Sequence, residues 1–413
     1  MPHLLIVGCG AAGMYAAVHA ARLGCKVTVL DANDRPGHKL SITGKGRCNV
    51  TNACDLDTFL QNVPRNPRFL YSALSRCMPS DVQAFFEAEG VPLKTERGRR
   101  VFPQSDRAAD IVDALRNAMQ DAGVRVHLNT RVKKLLIADE TCTGVVLADG
   151  SEMHADAVLL ATGGMSYPRT GSRGDGYRLA EQAGLTVIPP QPSLIPLETV
   201  ERDPMEMQGL SLRNVTLTVT QGKKVIFTEL GEMLFTHFGI SGPLVLSASC
   251  RMDPQKLDSY LLTVDLKPAL SAEQLDRRIQ RDFDEQKNRD IVNALRGLLP
   301  ASMIPVILNR TGIPQTQKVH DITKAQRLAL GEAVKRFPLH ASGMRPIAEA
   351  IITRGGVSVR EINPNTMESK KIRGLYVAGE LLDVDAFTGG YNLQIAFATA
   401  FAAASAAASA AED

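Results

Sequence analysis

"LLIVGCGAAGMYAAVHAARLGCKVTVLD", Leu4 to Asp31, is the stretch that decides the fold. Leu4–Val7 is a short continuous apolar run, the mark of a strand covered on both faces. Met14–Gly24 is an alanine-rich helical pattern closed by Gly24, and Lys26–Asp31 reads as a second strand. Strand, helix and strand inside about thirty residues make one βαβ unit. Gly8, Gly10 and Gly13 fall at its first turn as G-x-G-x-x-G. One glycine makes the turn, one lets the backbone approach a pyrophosphate, and one lets the helix pack on the strand. The helix that follows, from Ala11 and Ala12 onward, offers free N–H groups and a positive dipole end to that pyrophosphate. Asp31, followed by Ala32, stands where an acid accepts hydrogen bonds from an adenosine ribose and repels a 2′-phosphate. The motif implies dinucleotide binding and does not by itself separate NAD from FAD.

Working outward, 413 residues suggest more than one domain, and a 44% hydrophobic fraction is ample for large cores. With 47 basic against 44 acidic residues the net charge is +3, so no general attraction for nucleic acid or membrane is expected. The arginine cluster "ERGRRVF", Glu96 to Phe102, reads as a solvated face or a set of phosphate contacts rather than a nucleic-acid site. Seven scattered cysteines form no C-x-x-C pair, so neither a zinc site nor a disulfide framework is expected, and no metal is assigned. A soluble, cytoplasmic protein is the expectation, with no signal peptide ahead of the first strand. The tail "AFATAFAAASAAASAA" is alanine rather than leucine and reads as a helix of high propensity, not a membrane span.

Helical periodicity returns in "DVQAFFEAEG" and "AADIVDALRNAMQDAG", and the runs after it, with "ADGS" as a turn, suggest a small antiparallel meander. "AVLLATGG" reads as a buried parallel strand ending in a glycine pair. Near Pro189 the proline-punctuated "PPQPSLIPL" suggests a domain crossing, followed by alternating strands and then charged helices. The expected fold class is α/β: one nucleotide-binding domain built from both chain ends, interrupted by a middle insertion. The expected boundaries are 1–190 for its first part, 191–270 for the strand-rich part of the insertion, 271–340 for its helical part and 341–413 for the second part.

A second glycine-rich helix opening separates the cofactors. "LYVAGELLD" carries Glu380 just past Gly379, and Gly389, Gly390, Tyr391, Asn392 and Leu393 open the last helix. Two such openings, one near each terminus, suit a ligand too long for one site. FAD fits, with the second helix dipole aimed at the flavin N1–C2=O edge, where negative charge gathers on reduction.

The stretches "GCGAAGMYAA", "GKGRCNVTN", "ATGG", "LFTHFGISGP", "TRGGVSVREINPNTMESK" and "GLYVAGELLDVDAFTGGYNLQ" resemble the bacterial FAD-binding flavoproteins that include BaiN and aminoacetone oxidase, nearly end to end. The resemblance implies a glutathione-reductase-like Rossmann domain that binds non-covalent FAD, with a β-barrel-like domain over 191–270 and a small helical domain over 271–340 as the insertion. It also implies that the loop Ser41–Asn52 lies along the pyrophosphate and flavin, with Lys39 and Arg47 near the phosphates or N1–C2. Gly46, Cys48 and Asn49 belong to that loop. By the same resemblance Val132 contacts adenine through its backbone, Thr162 and Gly163 sit near the cofactor, Glu380 binds ribitol, and "TRGGV" is a flavin-side turn. His38 stands where the family usually has Arg or Lys.

His237 is the candidate substrate-side acid, a core role being the rival. Cys48 is a buried structural thiol or, with Cys54, a redox partner. The expected activity is hydride transfer between a small organic substrate and flavin N5, as NAD(P)H-linked enone reduction with a transiently docked nicotinamide. The alternatives are an O2-dependent oxidase of a small amino ketone, a flavin redox sensor and a tRNA-modifying flavoenzyme. The expected partner is a small molecule, with no nucleic acid and no membrane, and oligomeric state is left open.

Overall fold

A computed structural model describes residues 1–410 as two compact units, residues 1–193 with 346–410, and 194–345 between them. In the first, β1 (His3–Val7) leads into α1 (Ala11–Arg22) and then β2 (Lys26–Leu30). A short β3 (Thr51–Asn52) follows, with the hairpin β4 (Leu93–Glu96) and β5 (Arg100–Pro103), α2 (Ala108–Asp121) and β6 (Arg125–His127). Next come β7 (Val132–Ala138), β8 (Thr141–Leu147), β9 (Glu152–His154), β10 (Ala157–Leu160), α3 (Asp175–Gln182) and β11 (Val187–Ser193).

The second unit begins with β12 (Leu197–Thr199), the long hairpin β13 (Ser211–Gln221) and β14 (Lys224–Phe235), then β15 (Gly239–Ser241) and β16 (Tyr260–Asp265). Helices α4 (Ala272–Glu285), α5 (Met303–Thr311) and α6 (Lys324–Lys335) intervene before β17 (Phe337–Met344). The six strands close an antiparallel barrel in the order β12-β15-β14-β13-β16-β17. The strand that closes it therefore follows the helices in sequence, and the helices are a loop of the barrel rather than its successor. Ser271 and Thr323 cap α4 and α6 through capping boxes, which fixes where these polar-faced helices begin.

The chain returns to the first unit as β18 (Ile352–Val357), β19 (Leu375–Val377) and α7 (Tyr391–Ser409). Five strands make one parallel sheet, β19-β10-β1-β2-β6, so its last edge strand comes from the end of the chain. Its central strands are buried on both faces, which is why they carry no polar alternation. The expected meander is β7-β8-β9, and β11 pairs antiparallel with β18 where the chain leaves and re-enters this unit. The alanine helix α7 packs on α1, with Tyr15 and Phe397 rings 4.9 Å apart. Small side chains allow that close approach. Among the described residues no helix is long and apolar enough to cross a membrane.

Candidate functional site

Three structures converge around the carboxyl ends of β1, β10 and β19. The first is the turn Gly8–Gly13. Gly8 has φ +108°, and a Cβ there would stand 2.5 Å from the Ala161 carbonyl oxygen. A Cβ on Gly13 would stand 1.8 Å from the Gly8 oxygen, so α1 rests directly on the turn. Gly10 differs: nothing lies within 4 Å of its Cβ position, and it caps α1 with no side-chain hydrogen bond. Open space in front of an uncapped helix opening at Ala11 and Ala12 is a cradle for an anion. At the end of β2, Asp31 accepts from the Cys9 N–H at 2.5 Å and the Asn33 N–H at 2.7 Å, beside exposed Ala32. The Thr130 N–H bonds the Asp31 carbonyl, which brings buried Val132, at the head of β7, into the neighbourhood.

The second is a polar knot. Lys39 Nζ lies 2.6 Å from both Glu380 Oε2 and Ser166 Oγ. Glu380 Oε1 accepts from Ser166 Oγ at 3.0 Å and the Thr353 N–H at 2.8 Å, while Thr353 Oγ1 accepts from the Met165 and Ser166 N–H groups. Gly379, φ +72°, turns the chain so that Glu380 reaches this knot. Thr162 and Gly163 lead into it from β10. Thr162 Oγ1 is buried and has no hydrogen-bond partner in the protein. A buried orphan hydroxyl costs about 1–3 kcal/mol, and this one is covered by Gly176, whose Cβ position would lie 2.0 Å away.

The third joins the loop Ser41–Asn52 to the opening of α7. Asn52 Nδ2 donates to the carbonyls of Gly389 (2.9 Å) and Gly98 (3.0 Å). In the amide orientation that satisfies both ends, Asn49 accepts from the Gly390 N–H at 3.0 Å and donates to Val101 and Thr51 carbonyls. Gly390, φ +97°, is irreplaceable there, since a Cβ would meet the Thr51 oxygen at 2.3 Å. Asn392 clasps the Ala386 backbone at 2.9 and 2.8 Å, Tyr391 is buried with its ring 5.0 Å from Phe59, and Leu393 is half-buried. Gly46 faces open space.

Arg47 is committed within the protein. Its guanidinium bonds Glu96 at 2.5 Å and Asp106 at 2.6 Å and lies 4.2 Å over the Phe102 ring. It anchors the loop through those carboxylates, as His38 contacts Arg35 at 2.7 Å at the loop's entry. Cys48 is buried, and burial pushes its thiol up to about 12. Burial also pushes Cys54 up, and all seven cysteines are buried. Titration of the folded protein with an aromatic disulfide is expected to modify none of the seven within minutes, and all of them in denaturant. Rapid modification of one or two would contradict the burial.

His237 lies in the other unit, exposed on the tight turn Thr236–Gly239 between β14 and β15, its ring 5.0 Å from Phe238. The knot residue Ser166 had no signal in the sequence, because "MSYP" carries neither periodicity nor motif.

A parallel sheet with a glycine turn feeding an uncapped helix, and a second glycine-rich helix opening beside it, is the Rossmann fold of FAD-dependent oxidoreductases. The chain belongs to the HI0933-like protein family, whose Rossmann domain it matches over residues 2–406. It is 32% identical over 404 residues to the 3-dehydro-bile acid delta(4,6)-reductase of Clostridium scindens, covering 97% of each chain. It is likewise 32% identical over 401 residues to the ribosomal RNA dihydrouridine synthase of Haemophilus influenzae, covering 96% of each. Among solved structures, an open conformation of a flavocytochrome c3 fumarate reductase shares the fold with a TM-score of 0.55 at 18% identity, over 100% of this chain and 79% of that one. A 3-ketosteroid-delta4-(5alpha)-dehydrogenase of Rhodococcus jostii RHA1 does so with a TM-score of 0.53 at 16% identity, over 98% and 96%.

Proposed function

We propose that this enzyme reduces a carbon–carbon double bond conjugated to a carbonyl. One observation carries the reading: two relatives equally similar to this chain act on unlike molecules but on one kind of bond. In a 3-oxo steroid with 4,6 unsaturation the double bonds are conjugated to the C3 carbonyl. In uridine the C5=C6 bond is conjugated to the C4 carbonyl. Each accepts a hydride at the β carbon and a proton at the α carbon, while negative charge passes through the carbonyl oxygen.

The chain's residues fit FAD. The open cradle at Gly10 and the uncapped start of α1 are the features an absent cofactor would complete. FAD bound there supplies the hydride at N5. Gly8, Gly10, Ala11, Ala12 and Gly13 would hold the pyrophosphate, Asp31 and Ala32 the ribose, and Val132 the adenine. Lys39, Thr162, Gly163, Gly379 and Glu380 would hold the ribitol and phosphates. Gly46, Cys48, Asn49, Gly390, Tyr391, Asn392 and Leu393 would hold the flavin ring, with Arg47 bracing the loop. The start of α7 would offer its dipole to the flavin and so favour the reduced state. His237 is the candidate acid from the barrel unit. The electron donor in this reading is a nicotinamide cofactor that docks transiently, and a reducing cytoplasm suits the seven free thiols.

Anaerobic mixing of the FAD-loaded protein with NADH or NADPH is expected to bleach the visible flavin absorbance. A 3-oxo-4,6-unsaturated steroid acid or a uridine-containing RNA is expected to restore it, with the saturated product formed. Bleaching by aminoacetone alone, reversed by air with peroxide formed, would overturn the reading in favour of an oxidase.

A further inference from the structure

The net charge of +3 conceals one strongly cationic element. The β4–β5 hairpin turns through Arg97-Gly98-Arg99, and Arg97, Arg99 and Arg100 are all exposed. Its acids are placed so that they leave these three largely unspent. Glu96 and Asp106 are engaged by Arg47 and Lys94 at 2.5–2.7 Å, and reach Arg100 only from Glu96 at 3.9 Å. Asp55 stands 3.8 Å from Arg99, beyond hydrogen-bond distance, and Arg97 makes no ion pair among the described residues.

The backbone beneath these side chains is fixed. Segment 50–53 bonds the hairpin rung by rung: Val50 N–H to the Val101 oxygen at 2.9 Å, Asn52 Nδ2 to Gly98 at 3.0 Å, and Ala53 N–H to Arg99 at 2.8 Å. Arg100 Nε closes the turn on the Arg97 oxygen at 3.0 Å. Asn52 is also the residue that holds Gly389, so one side chain ties the arginine tip to the opening of α7. An exposed loop ordinarily forfeits binding energy in becoming ordered. This one is ordered already, which lowers that cost.

We infer that the Leu93–Pro103 hairpin is a docking arm for the phosphate backbone of single-stranded RNA, delivering a base to the site tied to it through Asn52. The inference rests on the conjugated-bond reading for what happens to that base. Three guanidiniums on one short preorganised turn match a repeating anion better than a substrate with one carboxylate, which one bidentate arginine satisfies. A backbone held by phosphate contacts also leaves single-stranded bases splayed for a pocket to accept.

The test is fluorescence anisotropy of a labelled, uridine-containing single-stranded RNA against the FAD-loaded protein across a salt series. The wild type is compared with the triple variant Arg97→Ala, Arg99→Ala, Arg100→Ala. Three lost phosphate contacts at about 0.7 each flatten the slope of log affinity against log salt by about 2. Affinity at low salt is expected to fall at least roughly tenfold. Flavin absorbance per protein and thermal midpoint report that the variant is folded and loaded. No binding by the wild type, or a variant that keeps both affinity and slope, overturns the inference. Because the assay reads binding without turnover, that failure would leave the conjugated-bond reading standing. Binding without any bond reduction would do the reverse.

Discussion

Gly10→Asn is expected to yield a folded, colourless protein, and Gly13→Ala no folded protein at all. The two glycines lie three residues apart in one turn, yet the space around them differs completely. A methyl at Gly13 falls 1.8 Å from a backbone oxygen that cannot move without displacing α1 from β1. The cost is more than about 4 kcal/mol, in the range that abolishes folding. At Gly10 there is room, and the backbone is extended at φ −87° and ψ −167°, which suits an asparagine N-cap. The stability of the cofactor-free protein should therefore stay within about 1 kcal/mol of wild type. The new side chain, however, fills the cradle and takes the helix N–H groups for itself. With each charge-assisted hydrogen bond worth about 1.5–3 kcal/mol, affinity for FAD should fall more than about a hundredfold. Thermal melts without flavin and titration with FAD separate the two outcomes. A yellow Gly10→Asn protein would remove the first glycine turn from the binding site.

Arg65→Leu should destabilise the first unit by about 3 kcal/mol at neutral pH, and by less in acid. Asp385 is 1% exposed, with Ser193 Oγ at 2.7 Å and Arg65 Nε at 3.3 Å as its partners. Arg65 also reaches Asp383 at 3.9 Å. Burial holds the Asp385 carboxyl above its ordinary range, while Ser193, Arg65 and Arg354 pull it back down. A carboxyl raised in the folded state binds its proton more tightly there than in the unfolded chain. Its ionisation thus costs stability as pH rises from the ordinary carboxylate range through the folded value. Removing Arg65 raises the folded value further, so the penalty of the variant grows with pH and is small where Asp385 is protonated in both states. Urea melts at pH 5 and pH 8 should show the larger gap at pH 8, and adding Asp385→Asn should recover much of it. An equal gap at both pH values would mean that Arg65 acts by packing alone.

Most of the Rossmann unit was legible because its physics is local. A βαβ turn needs glycines at fixed offsets, and a fully buried parallel strand needs an uninterrupted apolar run. Both are written within thirty residues of Leu4. The second helix opening was legible for the same reason. The barrel's closure was not, since β17 pairs with β12 and β16 from far along the chain and "FPLHASGM" looks like any alternating strand. Nor was the polar knot. Lys39, Ser166, Thr353 and Glu380 come from four separate segments, and their charges and hydroxyls carry no period to read. Arg47 shows the limit of residue type as evidence. A cation in a glycine-rich loop points to phosphate, yet two acids 49 and 59 residues away engage it.

The insertion also sets an order of events during synthesis. Residues 194–345 are contiguous, so a ribosome has synthesised every strand of the barrel before it makes β18, β19 or α7. The nucleotide unit must wait, its sheet one strand short and α1 without its helical partner, until the final segment emerges. For that interval the edge of β10 and the apolar flank of α1 are uncovered, the kind of surface that aggregates or recruits a chaperone. A flavoprotein arranged this way acquires its cofactor site last, after its insertion has had time to fold.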